Sequence, residues 1–236
     1  MCGIGGIISK TNKPISYNDL KTISEANKNR GPDNYGEWIN ENKTISIMNR
    51  RLSTQDVRSI ANQPIFSSNG RSVTVLNGEI YNHFDLRNFL KNKGYSFKSN
   101  NDAETLAASF DYWGEKLIGK LEGQYAFFAL NIEKNRGILV RDRFGISPIY
   151  YVSNKDYFYF SSLQKPLIQI QKKNNSLNIR NSSVSEFIVS DMCYQNNTIF
   201  DSIKYMSPSN FISFENNQSS SPKFFNYMKQ NFFEIK

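Results

Sequence analysis

The sequence predicts an α+β fold built mainly on antiparallel β-sheet. Short apolar or alternating segments of strand length follow one another along the chain, and turns of a few residues join them. Segments with helical spacing occur in groups and do not alternate one by one with the strands. A regular succession of β-α units, which would build a parallel sheet, therefore does not fit.

The predicted strands are recognised by their apolar or alternating side chains. Residues 3–9 are apolar and contain three glycines, and residues 44–49 alternate between apolar and polar side chains. From the N-terminus, the strands are predicted at residues 3–9, 44–49, 72–76, 124–132, 137–141, 149–152 and 157–161. The last four strands form two hairpins, because only short turns separate the members of each pair.

Three helices are predicted from capping residues and from apolar side chains at helical spacing. Ser16 caps the first helix, which runs to about residue 29. Residues 83–93 form the second helix, which ends before Gly94. Residues 102–113 form the third. Each helix carries apolar side chains at helical spacing.

The composition is that of a soluble globular protein, with 39% hydrophobic and 21% charged residues. No segment approaches the roughly 18–20 consecutive apolar residues of a membrane-spanning helix. The N-terminus lacks the pattern of a cleaved signal peptide, and two cysteines are too few for a disulfide framework. We therefore expect a cytoplasmic protein without a membrane partner.

The formal net charge of +8 raises the question of a nucleic-acid partner. The lysine and arginine residues are scattered, with no run of five or more, whereas nucleic-acid-binding surfaces concentrate such residues in a patch. We therefore expect a generic basic surface and no nucleic-acid partner.

The sequence offers little for a metal or a cofactor. His83 is the only histidine, so a metal site of several histidines is excluded, and a Cys-His dyad would have to use His83 itself. We interpret His83 as a surface or helix-start residue. The last glycine is Gly145, and the earlier glycines match neither common glycine-rich nucleotide-binding motif. We expect no metal and no cofactor in this chain.

Cys2 could act as a nucleophile without a histidine base. Its small side chain permits removal of Met1, which would leave Cys2 as the first residue. The α-amine of Cys2 would then have a pKa of about 7.7–8.0, close enough to neutral to accept the proton of the thiol. The alternative is an incidental cysteine at a chain terminus.

Several motifs follow Cys-Gly-Ile at residues 2–4 in order along the chain. They are Arg-Gly-Pro-Asp at 30–33, Arg-Arg-Leu-Ser at 50–53, Asn-Gly-Glu-Ile-Tyr-Asn at 77–82, Asp-Ala-Glu at 102–104 and Arg-Asp-Arg-Phe-Gly-Ile-Ser-Pro-Ile-Tyr-Tyr at 141–151. Together they resemble the motifs of class II glutamine amidotransferases. The Glu-Ile-Tyr-Asn run at 79–82 resembles the asparagine synthetase branch of that family.

The resemblance implies the four-layer αββα sandwich of N-terminal nucleophile hydrolases, with antiparallel sheets. It covers residues 2–210, which we predict to be one glutamine amidotransferase domain. Residues 211–236 are predicted to be a linker or tail. The Ser-Gly-Gly-x-Asp-Ser motif of the synthetase domain of asparagine synthetases does not occur, so no synthetase domain is expected in this chain.

The resemblance also implies roles for individual residues. Cys2 is expected to attack the glutamine carboxamide, while the Asn77 side chain and the Gly78 backbone N–H stabilise the oxyanion. Arg51 is expected to bind the α-carboxylate. Asp102 is expected to bind the α-ammonium with Glu79 nearby. From the residues alone, Asn77-Gly78 could instead form a type I′ turn, and Asp102 could be a helix N-cap.

The implied reaction is hydrolysis of L-glutamine to glutamate and ammonia through a Cys2 thioester. Ammonia would pass to a separate ATP-dependent synthetase subunit, and ATP and magnesium are expected only on that partner. The alternative is a catalytically idle domain that acts as a binding or regulatory module. The ammonia acceptor is aspartate by resemblance, with other carboxylates left open.

Overall fold

The computed structural model describes residues 1–226 of the chain. Its strands are β1 (Gly3–Ser9), β2 (Asn34–Ile39), β3 (Ile45–Arg51), β4 (Ile65–Phe66), β5 (Ser72–Ile80), β6 (Gly123–Asn131), β7 (Arg136–Arg141), β8 (Tyr150–Ser153), β9 (Tyr157–Ser161), β10 (Lys204–Tyr205), β11 (Asn210–Glu215), β12 (Gln218–Ser219) and β13 (Lys223–Phe224). Its α-helices are α1 (Tyr17–Asn27), α2 (His83–Lys91), α3 (Asp102–Trp113), α4 (Gln164–Lys173) and α5 (Asn181–Ser190).

The strands of residues 1–226 form two antiparallel sheets. The first sheet has the order β10-β8-β9-β1-β3-β2. The second has the order β12-β11-β7-β6-β5-β4, and β13 also pairs with β11. Strand β1 is central in the first sheet, between β9 and β3. Strand β5 pairs with β6 along its whole length in the second sheet.

The two sheets pack face to face, with helices on both outer surfaces. Buried residues of the first sheet, such as Ile4 and Phe160, form one hydrophobic cluster with residues of the second sheet, such as Val75 and Phe128. Helices α1 and α4 cover the outer surface of the first sheet, and α2 and α3 cover that of the second. The predicted four-layer αββα sandwich is therefore confirmed.

Strand β1 shows why small residues are needed where α1 approaches the sheet. Ile4 and Ile8 belong to the cluster between the sheets, whereas Ile7 packs with Leu20 and other residues of the helical layer. A Cβ atom on Gly5 would lie 2.3 Å from the side chain of Ile23 in α1. Any larger residue at Gly5 would therefore push α1 away from β1.

Most predicted elements are present, with differences at their ends. Helix α3 has the predicted bounds, but α1 ends at Asn27 and α2 at Lys91, earlier than expected. Strand β5 continues to Ile80, four residues beyond its predicted end. The sequence predictions did not include β2, α4 or α5.

The predicted boundary at residue 210 is wrong, because the second sheet continues past it. Strand β11 pairs with β7 from Phe211 to Glu215, and Ile212 is fully buried. Residues 211–224 therefore belong to the folded domain at least through β13. Residues 227–236, the end of the predicted tail, lie outside the described residues.

Within residues 1–226, no helix has both the length and the apolar character needed to cross a bilayer. The predicted cytoplasmic location stays a prediction.

Candidate active site

The N-terminus of β1 and the C-termini of β3 and β5 meet at one edge of the sandwich. Gly3 pairs with Arg50, which places Cys2 beside the end of β3. The Cys2 thiol lies against the backbone of Leu52: the Leu52 N–H donates to Sγ at 3.5 Å, and Sγ lies 3.8 Å from the Leu52 carbonyl. The cysteine is therefore fixed against the segment that follows Arg51.

A small cleft at this edge brings five of the six predicted site residues together. They are Cys2, Arg51, Gly78, Glu79 and Asp102. Leu52, Thr54, Gln55, Gln63 and Asn101 complete its lining. The cavity volume is about 20 Å³, close to the least that holds one water molecule. The enclosed part of the cleft therefore holds little more than one water molecule.

Asn77 and Gly78 lie inside β5 and do not form a turn. The alternative interpretation of this pair as a type I′ turn is therefore wrong, since the strand continues to Ile80. Gly78 has φ +135°, and a Cβ atom there would lie 2.0 Å from the carbonyl oxygen of Gln124 on the neighbouring strand. The close strand approach and the backbone conformation both require glycine.

The carboxamide of Asn77 is buried without a hydrogen-bond partner. Its side chain is fully buried, and neither Nδ2 nor Oδ1 bonds to any group in residues 1–226. Asn77 is not among the residues that line the cleft, although it precedes Gly78, which does. A buried amide without a partner costs about 1–3 kcal/mol, so Asn77 is an unsatisfied polar group directly before the cleft residue Gly78.

The guanidinium of Arg51 is held by the loop that follows it. One terminal nitrogen donates to Oδ1 of Asn62 at 2.8 Å and to the carbonyl of Arg58 at 3.4 Å. The other donates to the carbonyls of Gln55 at 2.8 Å and Asp56 at 2.6 Å. The arginine lines the cleft, but these donors already have partners, so a ligand carboxylate must share or replace them.

Asp102 is a buried carboxylate at the N-terminus of α3. Its Oδ2 atom accepts a hydrogen bond from the Ile80 N–H at 2.9 Å. Burial raises the pKa of Asp102 to about 6, and the negative charge of Glu79 acts in the same direction. The N-cap of α3 is Asn101, whose side chain accepts from the Ala103 N–H at 2.8 Å. The N-cap interpretation of Asp102 is therefore wrong.

The Arg-Gly-Pro-Asp motif holds the backbone around Cys2. The Nε–H of Arg30 donates to the Cys2 carbonyl at 3.0 Å. The Asp33 carboxylate accepts from the Ser53 N–H at 2.8 Å. A Cβ atom on Gly31 would lie 2.0 Å from the Arg50 carbonyl. The motif thus fixes the two chain segments that form the cleft, and burial raises the pKa of the Cys2 thiol between them.

The first two residues of the motif at 141–151 hold the backbone that follows them. The Arg141 guanidinium donates to the carbonyls of Ser147 at 2.9 Å and Met206 at 2.5 Å. The Asp142 carboxylate accepts from the N–H groups of Phe144 at 2.9 Å and Ser147 at 3.1 Å. These bonds shape the turn that follows β7.

His83 is the first residue of α2, as expected for a helix-start residue, but it is buried and not at the surface. Its Nδ1 atom has no hydrogen-bond partner in the described part of the chain. Across residues 1–226, no group of three or more histidine, cysteine or acidic side chains is arranged to hold a metal ion.

Sequence reasoning missed four of the polar residues that line the cleft: Thr54, Gln55, Gln63 and Asn101. A signal existed for Asn101, because an asparagine before a helical segment predicts an N-cap. Gln63 carries no local signal. Its carbonyl oxygen Oε1 accepts from the Leu76 N–H at 2.6 Å and from Asn49 at 3.3 Å, contacts that only the tertiary fold creates.

Comparisons with known proteins agree with this fold. The chain matches the family model for the glutamine amidotransferase domain over residues 1–225. It is 32% identical over 213 residues to asparagine synthetase (glutamine-hydrolysing) 1 of Bacillus subtilis, covering 88% of this chain and 32% of that protein. It is 30% identical over 166 residues to amidase chry2 of Gibberella zeae, covering 66% of this chain and 25% of that protein.

A solved structure shares the fold. Glutamine phosphoribosylpyrophosphate amidotransferase from Bacillus subtilis matches 95% of this chain and 49% of its own, with a TM-score of 0.60 and 17% identity. The fold is thus that of an amidotransferase domain, and Cys2 directly precedes its first strand. The chain belongs to the glutamine amidotransferase domain family. It spans about a third of the length of its Bacillus subtilis asparagine synthetase relative.

Proposed function

We propose that this domain hydrolyses L-glutamine to glutamate and ammonia, with Cys2 as the N-terminal nucleophile. The observation that carries the proposal is the meeting of Cys2, Arg51, Gly78 and Asp102 in one cleft, from four separate parts of the chain. Glutamine has a negative α-carboxylate, a positive α-ammonium and a neutral carboxamide. The cleft offers a guanidinium, a carboxylate and a thiol for these three groups.

The proposed reaction begins after removal of Met1. The α-amine of Cys2 takes the proton of the thiol, and the thiolate attacks the carboxamide carbon of glutamine. The Asn77 carboxamide and the Gly78 N–H hold the oxyanion of the tetrahedral intermediate, a contribution of about 3–4 kcal/mol per donor. The C–N bond then breaks, and ammonia leaves with a proton from the α-ammonium of Cys2. Water hydrolyses the remaining thioester to glutamate and restores the thiol.

The proposed use of the ammonia is transfer to an ATP-dependent synthetase. This rests on the relatives, since the matched asparagine synthetase is described as glutamine-hydrolysing and is about three times as long as the matched region. In this proposal the synthetase is a separate subunit that holds ATP and magnesium. Aspartate is the first acceptor to test, followed by other carboxylates.

The second candidate is an idle domain that binds a ligand or a partner without turnover. Two observations favour it: the cavity volume of about 20 Å³ and the engagement of Arg51 by its own loop. In this reading the cleft stays closed, and the domain serves as a regulatory or docking module.

The test is glutamine turnover by the purified chain, measured as equal amounts of glutamate and ammonia. The chain is assayed alone and with candidate synthetase subunits. The proposal expects turnover that Cys2→Ala abolishes, whereas Cys193→Ala, the matched cysteine control, retains it. Absence of turnover in every mixture, with Met1 removed, would favour the idle domain.

A further inference from the structure

One wall of the cleft is a loop, residues 52–58, whose conformation depends on Arg51. Thr54 and Gln55 of this loop line the cleft. The Arg51 guanidinium donates to the carbonyls of Gln55 at 2.8 Å and Asp56 at 2.6 Å. The loop and the guanidinium therefore hold each other in place, and any shift of the loop moves the cationic group of the site.

The Asp56 carboxylate connects the other side of this loop to the segment before α3. Its two oxygens accept from the Arg58 guanidinium at 2.7 Å each, and Oδ2 also accepts from the Asn100 N–H at 2.7 Å. The Asp56 side chain is only 4% exposed, whereas the Arg58 side chain is 58% exposed. The Arg58 guanidinium and the Asn100 N–H hold the pKa of Asp56 well below its usual range, so the carboxylate is charged at neutral pH.

The segment that contains Asn100 is itself firmly fixed. The buried Arg87 donates to the carbonyls of Ser99 at 2.5 Å and Asn101 at 2.8 Å. The Glu104 carboxylate accepts from the Ser99 N–H at 2.8 Å. The Asp56–Asn100 contact thus joins a loop to a rigid anchor only two residues before Asp102.

We propose that Asp56 is a positioning residue for the α-amino acid end of glutamine. By holding the loop of residues 52–58 to Asn100, it sets the separation between Arg51 and Asp102. This inference rests on the proposed function, in which those two residues hold the α-carboxylate and the α-ammonium. Asp56 acts through the loop, because its carboxylate is already bonded to Arg58 and the Asn100 N–H.

The test variant is Asp56→Asn, which keeps the size of the side chain and removes its charge. Asp56 has φ +47°, and asparagine tolerates this left-handed conformation well, so the backbone is not strained. Loss of a charge-assisted hydrogen bond corresponds to about a tenfold weakening of binding. We expect KM for glutamine to rise about tenfold, with kcat at saturating glutamine nearly unchanged.

A second readout separates positioning from a general loss of structure. Alkylation of Cys2 by diazo-oxo-norleucine, which has the amino acid end of glutamine, should slow about tenfold in Asp56→Asn. Alkylation of Cys2 by iodoacetamide, which lacks that end, should not slow. Both rates are measured on the peptide that contains Cys2. Asp156→Asn, a carboxylate that pairs with Lys13 at the surface, serves as the matched control and should leave both rates unchanged.

Each remaining outcome decides the proposal. The positioning role would be overturned if Asp56→Asn left the alkylation rate with diazo-oxo-norleucine unchanged. It would also be overturned if the variant slowed alkylation by both reagents equally. If Arg58→Ala slows alkylation by diazo-oxo-norleucine as much as Asp56→Asn does, the effect comes from the Asp56–Arg58 ion pair. That result would overturn the role of the Asp56–Asn100 contact. If Cys2 of the unsubstituted chain reacts with iodoacetamide but never with diazo-oxo-norleucine, the proposed function fails, and the positioning role fails with it.

Discussion

The carboxylate of Asp102 accepts a hydrogen bond from the Ile80 N–H at 2.9 Å, which ties the start of α3 to the end of β5. Gly78 lies two residues before Ile80 on the same strand. The bond therefore fixes the group proposed to bind the α-ammonium of glutamine relative to the N–H proposed to bind the oxyanion. Such rigid placement on a helix and a strand is what a preorganised site requires.

The pH dependence of glutamine turnover should contain a contribution from Asp102. Burial raises its pKa to about 6, and only the charged carboxylate binds an ammonium group well. The α-amine of Cys2 is a second titrating group, and the reference pKa of a free α-amine is about 7.7–8.0. As the pH falls, log kcat/KM should decline with a slope of about one below the amine pKa and about two below pH 6.

The control for this profile is Asp102→Asn, which should raise KM and keep a slope of about one throughout. The measurement is kcat/KM for glutamine over the acidic range, within the pH limits at which the fold is intact. A second break near pH 4, the ordinary carboxylate value of about 3.9, would show that burial does not act on Asp102 as described.

Arg30 should contribute to the rate by holding the N-terminal residue. Its Nε–H donates to the Cys2 carbonyl at 3.0 Å. Arg30→Ala frees this backbone, and a displaced nucleophile should lower kcat about tenfold or more. Lys28→Ala removes an exposed positive charge from the same short helix, residues 28–30, and should leave kcat unchanged. Equal kcat values for the two variants would show that the Arg30–Cys2 contact does not position the nucleophile.

Gly78→Ala should destabilise the fold more than an alanine at another glycine of positive φ. The new Cβ atom would meet the Gln124 carbonyl at 2.0 Å in a strained backbone. We expect the free energy of unfolding to fall by about 2–4 kcal/mol. Gly70 also has positive φ but nothing within 4 Å of its Cβ position, so Gly70→Ala should cost about 1 kcal/mol. Urea denaturation of both variants checks the difference, and equal losses would contradict the close approach of β5 and β6.

Ile212→Ala tests whether the domain extends past residue 210. Ile212 is fully buried in β11, so the variant should lose about 2–5 kcal/mol of unfolding free energy. Ile188→Ala is the matched control, since Ile188 is 77% exposed and should change stability by less than about 0.5 kcal/mol. If Ile212→Ala left the free energy of unfolding nearly unchanged, residues 211–224 would not be part of the folded domain.

The regular elements with strong local signals were predictable from sequence. Helix α3 has its predicted bounds because a polar residue precedes a run with apolar side chains at helical spacing. Strand β2 was missed, since none of its residues is fully buried and Gly36 interrupts the sequence pattern of a strand. Strand β11 was assigned to a tail because the resemblance covered residues 2–210 and the low-complexity residues 216–223 are typical of a loop or linker.

Most residues of the candidate site were predictable from sequence, but the hydrogen bonds that hold them were not. The motifs named Cys2, Arg51, Gly78, Glu79 and Asp102, which meet in one cleft. That Arg51 is bonded to its own loop depends on how residues 55–62 fold back over it. These bonds span only a few residues, but they lie in an irregular loop that has no repeating sequence pattern. The Asp56–Asn100 contact joins distant parts of the chain, and no local pattern encodes it.

In the proposed function, Cys2 is an activated N-terminal nucleophile that a glutamine-shaped ligand reaches. The most direct measurement is the intact mass of the purified protein before and after diazo-oxo-norleucine is added. We predict loss of Met1 and a single adduct that is absent in Cys2→Ala. A processed chain that remains unmodified, alone and with candidate synthetase subunits, would contradict the proposed role of Cys2.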